Sequence, residues 1–259
     1  MPDELTIDTS EEFPRLSRAP IVEATLEFRC RAEATWEEAV ILEQLKSRLP
    51  DYPLALAQRA FQQEFQFGLN QPAQGTYQDL GLKGFRFQSK DNLQITQFNR
   101  DGFAFSRLQP YESWQHFSLE AFRLWEIYAE LARPTQIQRL GLRFINRINL
   151  EPEQGTLDHY LSAPPQTPEE LGFPFITFLH HDSFAVPGKP YIVNVVKTVQ
   201  PQQSAGVAPP ALIFDIDVFS EQPFVLEAAT MNQRVAEMRW LKNKFFFGNI
   251  TSGALETFR

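Results

Sequence analysis

The stretch QRLGLRFINRINL, residues 138–150, narrows the fold more than any other part of the chain. Leu140, Leu142, Phe144 and Ile148 fall on one parity; Arg139, Arg143 and Arg147 fall on the other, four residues apart. Successive side chains of an extended strand point to opposite faces, so this strand presents one apolar and one cationic face. Asn146 shares the parity of Leu142 and Phe144, and its burial requires a backbone partner in a helix or loop.

A second strand has the complementary construction. After Pro20, Val22, Ala24, Leu26 and Phe28 alternate with Glu23, Thr25, Glu27 and Arg29. If the two strands are neighbours at the centre of a sheet, Glu23 and Glu27 face Arg139, Arg143 and Arg147. Opposite charges across a strand pair contribute about 0.2–1 kcal/mol each when exposed. When partly buried, neither set stands alone, because an unpaired buried charge costs several kcal/mol. The simpler reading is architectural pairing. The sharper one is a ligand surface, where arginines not consumed by Glu23 and Glu27 bind an anion or acidic partner.

The remaining periodicities predict an α+β fold. A helix is expected over ATWEEAVILEQLKSRLP, with Thr35 as N-cap and Glu38 three residues on. An antiparallel meander follows, with Phe61, Phe65 and Phe67 on one parity and turns at Lys90–Asn92 and Asp101–Gly102. YESWQHFSLEAFRLWEIYAELARP carries a broad apolar stripe and ends before Pro134. Beyond the arginine strand, GTLDHYLSAPP is expected as a short helix, and Pro187–Gly188 as the turn of a hairpin. A polar Pro/Gly-rich excursion at 200–210 is expected to be mobile. The strand ALIFDIDVF and a last long helix ending at Gly248 complete the chain.

The expected architecture is antiparallel sheet packed against long helices in one globular domain, 1–259, with 1–17 as a mobile leader. Both halves, 18–134 and 135–250, read strand, helix, three or four antiparallel strands, long helix. The order of elements is the only ground for duplication, and a single sheet without internal symmetry is the alternative. Duplication implies an arrangement that resembles the saddle of the TATA-binding-protein fold. APIVEATLEFR (19–29) with RLGLRFINRINL (139–150) also resembles the paired signature of an uncharacterised, sporadically distributed bacterial family of about this length. LIFDIDVF followed by a C-terminal helix is similar to that family's end. The resemblance carries no reaction, ligand or catalytic residue.

The bulk properties exclude several classes. A net charge of −8 disfavours nucleic acid, whose binding rests on cation contacts and counterion release. One cysteine, Cys30, rules out an intramolecular disulfide and a multi-cysteine zinc site, and reads as an inert strand residue. No apolar run approaches the roughly 20 residues that span a bilayer, so a cytoplasmic protein is expected. His180, His181 and Asp182 with Asp215 and Asp217 match no metal-ligand spacing, and no metal or cofactor is expected. For Asp215 and Asp217 a solvated sheet face or pairing with Lys197 is simpler than a catalytic pair. His116 and His159 read as ordinary helix residues. Walker, G-x-S-x-G, G-x-G-x-x-G and H-E-x-x-H signatures are absent.

Phe245, Phe246 and Phe247 cannot all face one core stripe, so either another element or another subunit covers part of the set. The expected function is a non-enzymatic binding or scaffold protein, a subunit or regulator of a bacterial multi-component system, with a protein partner or a second copy bound. The alternative is a small-anion or nucleotide binder, or an enzyme, using a pocket lined by Glu23, Glu27, Arg143 and Arg147.

Overall fold

The two central strands lie where their patterns place them. In the computed structural model, which describes residues 4–66, 74–151, 156–166, 170, 173, 176–201 and 209–259, β1 (Ile21–Ala32) pairs antiparallel with β6 (Pro134–Asn149). Around them run β2 (Leu54–Gln66), β3 (Gln74–Gln88), β4 (Gln94–Asn99), β5 (Gly102–Leu108), β7 (Leu179–Ala185), β8 (Ile192–Gln200) and β9 (Ala211–Ser220). The sheet order is β2-β3-β4-β5-β1-β6-β9-β8-β7, antiparallel throughout, and the short β10 (Phe224–Val225) pairs with β6. The class is therefore α+β with one large antiparallel sheet.

One face of the sheet is apolar and covered by helices. Ala24, Leu26 and Phe28 of β1, Leu140, Leu142 and Phe144 of β6, and Phe214, Ile216 and Val218 of β9 are fully buried on it. The helix α2 (Trp114–Ala132) opens at Ser113, whose hydroxyl accepts from the His116 N–H at 3.2 Å. It closes at Arg133, held in the left-handed region (φ 50°) just before Pro134. Its Trp125 packs on Phe28 at 4.4 Å between ring centroids, and its Phe117 stacks on Phe105 at 5.5 Å. The helix α3 (Ala228–Asn249) sets Phe246 on Phe214 at 6.0 Å. Lys242, also on α3, holds its ammonium 4.3 Å over the Phe144 ring, and burial lowers its pKa to about 7.

Several elements depart from the sequence reading. The first helix, α1 (Glu38–Arg48), starts three residues past Thr35, with Glu37 at its N-cap and no side-chain cap bond. Trp36 precedes it and is buried against Tyr128, and the residues that α1 itself buries are Ile41 and Leu45. The expected helix around Leu157 is a single 3-10 turn, Leu157–His159. Gly248 falls inside the last turn of α3, which runs on to Asn249 and is followed by α4 (Ser252–Glu256). Asn146 finds its partner in a strand, donating to the Phe214 carbonyl at 2.9 Å.

The leader packs on the domain. Leu5 N–H donates to the Pro187 carbonyl, Glu11 accepts from Trp240 Nε1 at 2.7 Å, and Phe13 stacks on Phe247 at 5.5 Å. Cys30 is buried, 3.3 Å from the Tyr128 hydroxyl, and burial pushes its thiol pKa up. Phe67 and the excursion at 202–208 lie outside the described residues. No helix among the described residues is long and apolar enough to cross a membrane.

Candidate functional site

The opposite face of the sheet carries no helix among the described residues, and its centre is charged. Register builds it in rows. Thr25, Arg143, Asp217, Asn194 and Ser183 lie across β1, β6, β9, β8 and β7; Glu23, Ile145, Asp215, Val196 and His181 form the next row. Each β9 aspartate reaches diagonally to a β6 arginine. Arg143 Nε donates to both carboxylate oxygens of Asp215 at 2.9 and 3.1 Å, and its Nη2 joins them. Arg139 donates to Glu27 and, from Nη2 at 3.4 Å, to Asp217, while its guanidinium lies 4.8 Å over the Phe219 ring. Arg29 closes the chain onto Glu27 at 3.0 Å.

Gly141 makes the Arg139 geometry available. A Cβ at Gly141 would sit 2.7 Å from Arg139 Nη1, so the guanidinium folds into space that any other residue would fill. With its side chain only 16% exposed, Arg139 has a carboxylate on each side. Arg143 is different: its side chain is 51% exposed, and among the described residues its Nη1 has no hydrogen-bond partner.

The site residues expected from sequence therefore divide. Glu27 and Arg139 are brought together. Among the described residues Glu23 forms no ion pair, and it accepts instead from the Thr25 hydroxyl at 3.1 Å. Arg143 pairs with Asp215, and Arg147 donates to Asn149 and, at 3.0 Å, to the Pro209 carbonyl. The pairing of Asp215 and Asp217 with Lys197 is overturned. Lys197 points to the helix-covered face, where it is buried with Asn249 at 3.4 Å and Asp182 at 3.8 Å. Sequence reasoning missed the two aspartates as arginine partners, although their parity on β9 matches that of the arginines on β6.

The other candidates find partners inside the chain. Phe245 packs against Phe184, Phe246 against Phe214, and Phe247 against Phe13 and Phe246. His116 lies 2.9 Å from Glu112, and His159 packs edge-on to Tyr160. His181 points to the charged face, whereas His180 and Asp182 point to the other. Among the described residues no group of three His, Cys, Asp or Glu side chains is placed to hold a metal ion.

Burial raises the Asp217 pKa above the usual aspartate value, although Arg139 and Arg143 both pull it down. On Arg143, the hydrogen bonds to Asp215 raise the pKa. No family model matches the chain, and neither the curated proteins nor the solved structures contain a match to it. The likeness of the two central strands to a bacterial family therefore stays a resemblance of motifs, and no residue role comes with it.

Two outcomes follow. Gly141→Ala should lower stability by about 1 kcal/mol by chemical denaturation, because Arg139 must leave its pocket. In an Arg139→Ala background the same change should stabilise by a few tenths of a kcal/mol through the unfolded chain, and equal effects in both backgrounds would refute the role given to Gly141. Asp217 binds its proton more tightly in the folded than in the unfolded state, so its ionisation costs stability as pH rises through its folded pKa. Asp217→Asn removes that cost, and its Tm relative to the natural protein should be higher near pH 7 than near pH 4. The reverse order would contradict the assigned desolvation.

Proposed function

We propose that the protein is a binding or scaffold protein without catalysis of its own, a subunit or regulator of a multi-component assembly. A protein partner docks on the arm formed by β2 and β3. The carrying observation is the shape of that arm. β3 pairs with β2 along its whole length but with β4 only over Gly84–Gln88, so Gln74–Lys83 and the facing part of β2 extend past the sheet. An isolated two-stranded ribbon is marginal in water. Yet this one stacks Phe61 on Tyr77 at 5.0 Å with both rings at least half exposed, and Leu80 is 52% exposed beside them. A cluster of this kind marks an interaction surface.

The chemistry of the arm favours protein over nucleic acid. Its exposed rings offer apolar area, Arg59 is paired with Glu38 and Asp79, and the chain as a whole is acidic. Leu54 and Leu56, 53% and 59% exposed, lie on the opposite parity of β2 and so on the other side of the ribbon. The strand order also supports two similar halves. In the first half β1 is central, with β5, β4, β3 and β2 following outward; in the second β6 is central, with β9, β8 and β7 following outward and the short β10 an added pairing on β6. That is the order a duplicated saddle requires, with α2 and α3 as equivalent helices.

Site-specific photo-crosslinking tests docking. A benzoylphenylalanine at Phe61 or Tyr77 should give one discrete adduct in cells, with a second copy of the chain or another protein identified by mass spectrometry. The same probe at Leu119, 73% exposed on α2, should not. Adducts equal at all three positions, or none at the arm, would overturn the reading.

A further inference from the structure

A small cavity of about 120 Å³ opens on the charged face between Arg143, His181, Asn194, Val196, Asp215 and Asp217. Three of these side chains form one cross-strand row in the order Arg143, Asp217, Asn194. Each has hydrogen-bonding capacity left over. Asp215 occupies the Nε–Nη2 edge of Arg143, and since a guanidinium has five N–H donors, Nη1 and the outer N–H of Nη2 remain as a fork. Asp217 takes one long bond from Arg139, at 3.4 Å through Oδ2, and among the described residues its Oδ1 accepts none. The Asn194 carbonyl accepts from the Ser183 hydroxyl at 2.8 Å, leaving its amide N–H groups unused. The row therefore offers donor, acceptor, donor to whatever enters.

We propose that this cavity binds a small zwitterion, the head group of an α-amino acid. Its carboxylate sits on the free fork of Arg143 and its ammonium on Oδ1 of Asp217. Neighbouring strands are about 4.8 Å apart, a span an α-amino acid covers with one hydrogen bond at each end. Charge balance selects this ligand over a bare ion. Arg143 is neutralised by Asp215, and Asp217 closes an alternating chain through Arg139, Glu27 and Arg29. A lone anion or cation would leave one uncompensated charge in a half-buried site, whereas a zwitterion adds none. Burial holds the Asp217 carboxyl more strongly protonated than a solvated aspartate, the mark of a carboxylate with too few donors, and an ammonium supplies them. Val196 lines the cavity beside His181 and meets the substituent on the ligand's α-carbon. This site is independent of docking on the arm, about which the row carries no information.

Calorimetric titration of the full chain at low salt with L-alanine, glycine, acetate and methylamine tests the proposal. Both amino acids should bind, and acetate and methylamine should each bind about a hundredfold more weakly than L-alanine. Arg143→Gln and Asp217→Asn should each lower L-alanine affinity by at least about tenfold, and Leu119→Asp on α2 should not change it. Acetate as tight as L-alanine would make this an anion site, and methylamine as tight a cation site. No heat from any probe would make the row architectural. Each of these three results overturns the proposal.

Discussion

The antiparallel pairing of β1 with β6 is the constraint on which the rest of the structure depends. Over Ala24–Phe28 and Leu140–Ile148 the side chains of both strands alternate, and their register places Ala24, Leu26 and Phe28 beside Phe144, Leu142 and Leu140 on one face. Those side chains are fully buried, so at roughly 25 cal/mol per Å² of apolar area this face secures α2 and α3 to the sheet. The other parity has no freedom. Every residue that faces the helices obliges its neighbour to face away, and a slip of one residue would drive Arg139 and Arg143 into the aromatic core.

That geometry turns the exposed face into an electrostatic problem. Arg139 and Arg143 on one strand need counter-charges on a half-desolvated surface, whereas Arg147 is met by the Asn149 side chain and the Pro209 carbonyl. β1 supplies Glu27, β9 supplies Asp215 and Asp217, and Gly141 leaves room for Arg139 to reach across. The network is nearly closed around Arg139 and open at Arg143, whose exposed fork is left over among the described residues. Stability and binding therefore draw on the same residues in different proportions.

The sequence made the faces of β1 and β6 legible, because their side chains alternate over Ala24–Phe28 and Leu140–Ile148 and their neighbours are charged. The partner of Arg143 was not legible. Asp215 lies 72 residues away, and its adjacency follows from the order in which the strands assemble, which no local pattern records. Lys197 was assigned to the wrong face because Val193, Val195, Val196 and Val199 populate both parities of β8, so alternation carries little information there. Trp36 lies within the span expected to be helical but instead anchors the chain ahead of α1 against Tyr128. The coverage of Phe247 by Phe13 depends on a leader whose acidic composition concealed the apolar contacts of Leu5, Phe13 and Leu16. The stop of α2 before Pro134 was, by contrast, local and readable.

A double-mutant cycle between Glu27 and Arg139, measured by denaturant unfolding of Glu27→Gln, Arg139→Met and the double variant, tests the central claim most directly. The account holds that β1 and β6 are joined on their charged face by a partly buried ion pair. It predicts a coupling of about 1–3 kcal/mol. Effects that add to within about 0.3 kcal/mol would mean that the pair is decoration and that the apolar face alone sets the register.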